Sequence, residues 1–294
     1  MRMIKQTVRS ALKLSANTFP EFYAKTHYFI RFKKKLNLRN PTSFNEKIQW
    51  LKFNELNGDI YTLCADKYKV REYVSAKGCG EILNVLYGVY DNPQAIDYDA
   101  LPERFALKCN HGAGYNIICD NKSSMDIEKT NRKLNEWLKQ DYSANFVEPQ
   151  YKKIERKILC EKYIENERGG FPDDYKFYCF NGKPYAVMVC IGREKGKPKF
   201  YYFDMNWNPL PFEDTIELIS ENHYPEMPDG FNKMKEYAVK LSSDFKFVRV
   251  DLYLLNDEVI FGELTFTPSA GLDVALQDAD VILGSQLNLE SKKR

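Results

Sequence analysis

The chain has 294 residues, 44% of them hydrophobic and 29% charged, which suits a water-soluble protein long enough to bury a large core in two lobes. No apolar run approaches the roughly 20 residues of a membrane-spanning helix and no cleavable leader opens the chain, so a cytoplasmic location is expected. Seven Cys without a CxxC pair argue against a zinc ribbon or a disulfide framework and read as small core residues in a reducing compartment.

The formal net charge of +2 is unevenly spread: residues 1–40 hold ten Lys or Arg against one acid, Glu21. Met3, Ile4, Val8, Leu12 and Leu14 fall near one helical stripe with Arg2, Lys5, Arg9 and Lys13 around it. That pattern suits peripheral contact with an anionic membrane, at the inner face of which the protein would then sit, and suits helix packing equally well. The cluster Arg31 to Lys35 can meet phosphates of a nucleic acid or of a lipid-linked precursor, but a charge run more often simply faces solvent. No nucleic-acid partner is expected.

A helical, basic region is expected over residues 1–60, including a helix at 44–54 that Ser43 caps with Glu46 as its capping-box partner. A helix at 66–77 follows, with Val70, Tyr73 and Val74 on its apolar stripe and Gly78 as a left-handed cap. Strands are expected at Ile82–Val89, Phe105–Lys108 and Ile117–Cys119, then a helix at 125–140 started by Ser123 or Ser124, and a strand from Lys157 to Ile164. The polar stretch from Glu165 to Asp174, with Gly169, Gly170 and Pro172, marks the boundary between a first lobe at 61–159 and a second at 160–294. In the second lobe Asn181-Gly182 predicts a hairpin of Tyr175–Phe180 with Lys183–Cys190. A helix at 231–243 precedes a second hairpin at 248–265.

Three places carry candidate chemistry. Lys108 ends a strand before a loop holding His111, Gly112 and Gly114, where glycine lets backbone N–H groups approach anionic oxygens. It matches neither a P-loop nor a dinucleotide fingerprint, and a plain hairpin turn beside a lysine looks the same. Lys176, paired with Val187 by a two-residue Asn181-Gly182 turn, shares an apolar face with Tyr178 and Tyr185, which calls for a phosphate or carboxylate partner such as Asp174, or else for snorkelling from an edge strand. In the last hairpin, a three-residue loop of Asn256, Asp257 and Glu258 would pair Leu255 with Val259, placing Asp251 opposite Glu263 and Arg249 opposite Thr265. Facing carboxylates repel, which a hard divalent cation would explain, and which predicts that removing either acid leaves the melting temperature unchanged or higher. An exposed hairpin face, or a staggered two-residue loop, is the alternative. His27, His111 and His223 are too scattered for a metal site or triad, and no GxSxG elbow is present.

Asp66-Lys67, Lys108 with HGAGYN, CEKYI at 160–164, Lys176, VRVDLY and FGELTFTPSAG occur in an order that resembles ATP-grasp proteins. The phrases NPTSFNEKIQW, ADKYKVREYV, FALKCNHGAGYN, PDDYKFYCFNGKP and GELTFTPSAG are similar to the teichuronopeptide-biosynthesis, TupA-like branch, over about residues 36 to 289. The resemblance implies a two-lobed α+β fold that clamps ATP between antiparallel sheets. It assigns the ATP phosphates to Lys108 and Lys176 beside the glycine loop, adenine to the backbone of Tyr163 and Ile164, and the adenine amino group to Glu161. Glu167 would reach the ribose, Asp251, Glu263 and Thr265 would hold Mg2+, and Arg249 with Lys176 would stabilise the transferring phosphoryl group. Many relatives carry Asn where this chain has Thr265, a weaker Mg2+ ligand. The implied activity is a carboxylate–amine ligase working through an acylphosphate, attaching an amino acid or amine to a uronic-acid carboxylate of a surface polysaccharide or its precursor. A glycosyltransferase using a nucleotide sugar is the alternative.

Overall fold

The computed structural model describes residues 16–165, 170–192, 198–210, 212 and 224–290. The stripe from Met3 to Leu14, Glu167 and His223 lie outside the described residues. Seven helices are described: α1 (Pro20–Phe32), α2 (Phe44–Asn54), α3 (Asp59–Ala65), α4 (Val70–Ala76), α5 (Ile127–Leu138), α6 (Phe231–Ser242) and α7 (Asp278–Gln286). None is long and apolar enough to cross a membrane.

Nine strands form two antiparallel sheets. In the first, β1 (Leu86–Tyr90), β2 (Phe105–Cys109), β3 (Asn116–Cys119) and β4 (Ile158–Lys162) run in the order β1-β4-β2-β3. The second contains β5 (Asp174–Phe180), β6 (Lys183–Ile191), β7 (Lys199–Asp204), β8 (Phe247–Leu255) and β9 (Glu258–Thr265), ordered β7-β6-β5-β8-β9. The architecture is α+β, as expected.

Local chemistry fixes most boundaries. At α2 the Ser43 hydroxyl accepts from the Glu46 N–H while the Glu46 carboxylate accepts from the Ser43 N–H, a reciprocal capping box. The helix expected at 66–77 is shorter, because α3 ends at Ala65 and the Asp66 carboxylate takes the N–H groups of Tyr68 (2.8 Å) and Lys69 (3.3 Å). Such local side-chain bonds compete with helical continuation. Gly78 is left-handed at φ +67°. Helix α5 is capped by Asp126, which accepts from the Lys129 N–H, while Lys122–Ser124 forms a separate turn. Strand β7 was not foreseen in the sequence.

Both hairpins turn on two residues of positive φ, Asn181 (+50°) with Gly182 (+79°) and Asn256 (+49°) with Asp257 (+61°), the backbone that matches the twist of the flanking strands. Both then acquire a bulge. Between Tyr178 and Cys179 the register shifts, so Lys176 lies opposite Met188 and not Val187. In the second hairpin Leu255 pairs with Glu258, not Val259, and an unpaired Gly262 then brings Asp251 back opposite Glu263 and Arg249 opposite Thr265. The expected pairing therefore stands, but through a two-residue turn plus a bulge. A Cβ at Gly262 would lie 2.8 Å from the Asp251 carbonyl oxygen, which is why the extra residue is glycine.

The cores divide differently from the sequence boundary near residue 60. Phe44, Ile48, Leu51, Tyr61 and Val74 pack with Phe177, Phe247, Phe266, Met234 and Leu241 in one core on the five-stranded sheet. A smaller core joins Phe105, Leu107, Ile158 and Cys160 to Leu134 of α5. Helices α2 to α4 thus belong with the larger sheet, because their apolar faces cover it. All seven Cys are buried and none is in a disulfide.

Candidate active site

Where the two sheets face each other, a cavity of about 210 Å³ is lined by Lys67, Lys108, Gly114, Glu161, Asp174, Lys176, Asp251, Tyr253, Phe261 and Glu263. Its floor is the middle of the larger sheet. Antiparallel pairing sets Lys176 of β5 directly across from Asp251 of β8, and Asp251 across from Glu263 of β9.

Asp251 is 2% exposed and fully engaged. Arg249, two residues away on the same strand face, donates Nε to Oδ1 and Nη2 to Oδ2, each at 2.7 Å. Lys176 donates Nζ to Oδ2 at 3.0 Å and also pairs with Asp174. Burial lowers the Lys176 pKa, yet Asp251 and Asp174 outweigh burial and the opposing Arg249, so the ammonium is held above its ordinary range. Arg249 also reaches the Thr265 hydroxyl at 3.3 Å, and that hydroxyl donates to Glu263 Oε1 at 3.4 Å. The expectation of two acids left in mutual repulsion therefore needs correction. Cations from β5 and β8 already neutralise Asp251.

Glu263 is less enclosed, with 37% of its side chain exposed and Lys67 Nζ 3.6 Å away. Burial raises its pKa, but Lys67, Arg249, Lys176 and Lys108 together hold it down to about 2. Across the cleft, Lys108 of β2 donates to Glu161 Oε2 at 2.7 Å. Burial lowers the Lys108 pKa and the carboxylate outweighs it, so the group stays protonated.

The glycine loop is shaped by residues that face away from the cavity. The His111 ring is buried with Nε2 3.1 Å from the Trp137 carbonyl, and burial pushes its pKa down. His111 therefore sets the loop and does not line the cavity. Gly112 is needed for close packing, since a Cβ there would sit 2.5 Å from the Tyr142 ring. Its carbonyl accepts from Lys67 Nζ at 2.6 Å. Gly114, at φ +75°, lies on the cavity wall.

Tyr163 and Ile164 line an adjoining cavity of about 410 Å³ together with Leu83, Val85, Tyr237, Val259 and Ile260. Asn84 borders both. The sequence reading left Lys67, Asn84, Tyr253 and Phe261 without a role. For Lys67 a signal existed in the Asp66-Lys67 pair. Asp66 takes the Asn110 side-chain N–H at 2.8 Å and the Lys67 N–H donates to the Asn110 carbonyl at 3.2 Å, so the pair is pinned beside the glycine loop.

Asp251, Glu263 and the Thr265 hydroxyl are hard oxygen donors. Among the described residues no group of three or more His, Cys, Asp or Glu could hold a metal alone. Such a donor set fits Mg2+, which commonly takes one or two carboxylates and completes its shell with phosphate oxygens and water.

Comparison with known proteins agrees with this architecture. No curated protein sequence matches the chain. Among solved structures, an L-amino acid ligase from Bacillus licheniformis aligns at 12% identity and TM-score 0.50, over 87% of this chain and 57% of that one. D-alanine–D-alanine ligase from Bacillus anthracis aligns at 15% identity and TM-score 0.49, over 81% of this chain and 71% of that one. The complex of that ligase with ATP aligns at 13% identity and TM-score 0.47, over 76% of this chain and 65% of that one. The chain thus spans about two thirds or less of two of these three structures. The family model described as TupA-like ATP-grasp matches residues 46–288, and the chain belongs to that family.

Proposed function

We propose that the protein is an ATP- and Mg2+-dependent ligase joining a carboxylate to an amine, with an amino acid or amine as the nucleophile and a uronic-acid carboxylate of a surface polysaccharide precursor as the activated group. One observation carries the first half: Lys67, Lys176 and Arg249 converge on two facing carboxylates, with Lys108 across the cleft between the two sheets. The polysaccharide half rests on the family.

Four cations of the site, Lys67, Lys108, Lys176 and Arg249, balance four acids, Glu161, Asp174, Asp251 and Glu263. A triphosphate would take over lysines now held by protein carboxylates, so binding is an exchange of anions and avoids stranding bare charges. Bound Mg2+ would neutralise phosphate charge beside Asp251 and Glu263. The adjoining cavity, walled by Tyr163, Val259 and Ile260, suits a flat apolar base.

In the reaction, a substrate carboxylate oxygen attacks the terminal phosphorus, the bond to ADP breaks, and an acylphosphate forms. An amine then attacks the acyl carbon, phosphate leaves with the C–O electron pair, and the amine loses a proton. Lys176 and Arg249 would spread the charge of the transferring phosphoryl group without acting as nucleophiles.

The test is to incubate the protein with ATP, Mg2+, pooled amino acids and uronic acids and to measure ADP and phosphate. Release of both only when carboxylate and amine are present is expected. Cleavage of UDP-sugars without ATP turnover would replace this reading by the glycosyltransferase.

A further inference from the structure

Helix α1 is apolar on both sides. Its inner face buries Tyr23, Ala24 and Tyr28. Its outer face presents Phe22 (68% exposed), Phe29 (53%) and Ile30 (55%), with Phe19 (66%) just before the helix. At about 100° per residue, the three helix residues fall within an arc of roughly 100°. A solvent-facing helix surface is normally polar, and clustered exposed apolar side chains mark a contact surface. Of the described large hydrophobic residues more than 50% exposed, only Val281 lies elsewhere.

Charge identifies the partner. Between residues 16 and 40, Lys25, Arg31, Lys33, Lys34, Lys35 and Arg39 stand against a single acid, Glu21, which Lys25 already pairs. Lys33 ends the helix at φ +57°, and Lys33, Lys34 and Lys35 are all exposed where the chain turns away. A second copy of this face would bring like charges together. The chain's own first fifteen residues, with Arg2, Lys5, Arg9 and Lys13 and no acid, would do the same. A nucleic acid would meet a row of aromatics on the convex surface of one helix.

We propose that this face docks the protein on an anionic phospholipid bilayer, Phe19, Phe22, Phe29 and Ile30 entering the interface while the lysines meet headgroup phosphates. The surface lies outside the cleft, so its test is independent of the proposed reaction. Full-length protein is sedimented with vesicles of phosphatidylcholine, with or without about 30% phosphatidylglycerol, to supply the surface charge on which lysines act. Wild type should pellet only with the anionic vesicles. Phe22→Ser/Phe29→Ser and Lys33→Gln/Lys34→Gln/Lys35→Gln should each weaken partitioning by about tenfold or more at unchanged melting temperature. Failure of wild type to bind anionic vesicles, or wild-type binding by either variant, overturns the proposal. A fall in native mass of the Phe variant without lipid would also overturn it, assigning the face to self-association.

Discussion

Removing Asp251 separates two accounts of the facing carboxylates. If they simply repelled, Asp251→Ala would leave the melting temperature unchanged or raise it. The structure predicts the opposite, because this 2% exposed carboxylate accepts from Arg249 twice at 2.7 Å and from Lys176 at 3.0 Å. Breaking a buried charge pair from one side typically costs about 3–5 kcal/mol. Lys176 keeps Asp174 and Arg249 keeps Thr265, so the lower end, about 3 kcal/mol, is expected. With an unfolding entropy of about 2.1 cal/mol/K per residue, 294 residues give about 0.6 kcal/mol/K, hence a fall of roughly 5 °C. Glu263→Ala is the internal comparison. Its side chain is 37% exposed with one cation at 3.6 Å, so it should cost no more than about 1 kcal/mol, a shift of 1 to 2 °C. Both variants should abolish turnover. Calorimetric melting of the two proteins at pH 7 decides the matter, and an unshifted or raised Asp251→Ala transition would refute the cation-cage account.

Other outcomes follow from the same geometry. Lys67→Met should lower kcat/KM for ATP by about 10²–10³-fold, as loss of one phosphate-directed charge does, with melting nearly unchanged; steady-state kinetics and calorimetry check both. Gly262→Ala should destabilise by about 1–3 kcal/mol and abolish turnover, since its Cβ meets the Asp251 carbonyl at 2.8 Å; a fully active, wild-type-stable protein would contradict the bulge. Lys52, 3% exposed, has its pKa lowered by burial to about 8, Glu148 raising it only in part. Because that value lies below the unfolded 10.5, the unfolded chain binds more protons between the two, so stability relative to Lys52→Met should rise as pH goes from about 8 to 10.5 and be flat below. Chelating Mg2+ should weaken ATP binding by at least about tenfold, since the triphosphate would then compete with Asp251 and Glu263 for Lys67, Lys176 and Arg249 with no added cation to offset its charge; titration calorimetry with and without EDTA reads this.

What the sequence revealed depended on whether a short-range rule governed the position. The Ser43–Glu46 box fixed the start of α2 because both partners lie within four residues. The positive-φ turn at Asn181-Gly182 was equally plain. The last hairpin was harder, because counting outward from a presumed three-residue loop reached Asp251 opposite Glu263 by a route the chain does not take. A bulge is invisible to alternation, although Gly262 is the residue that permits it. The cation cage was also hidden. Lys176 and Arg249 were each visible, but their meeting at Asp251 requires β5 to pair with β8 across an interval of about seventy residues. Lys67 was marked only by the Asp66-Lys67 pair, since it lies between two short helices where no periodicity assigns it a face.

The position of Lys67 would let the two sheets act together on a ligand in the shared cavity. Helices α3 and α4, which flank it, pack into the core of the larger sheet. Its ammonium nevertheless binds the Gly112 carbonyl in the loop of the smaller sheet and lies 3.6 Å from Glu263 of the larger one. Asp66 and Asn110 lock the backbone at that junction with buried hydrogen bonds, and Asn110 in turn holds the Glu155 carbonyl and the Lys157 N–H just before β4. The loop, the strand bearing Glu161 and the helical layer are therefore tied at one point beside the cavity. An anion entering there would pull on Lys108 from one side and on Lys176 and Arg249 from the other. Lys67, fixed between them, would hold the glycine loop in register with Glu263 while those cations change partners.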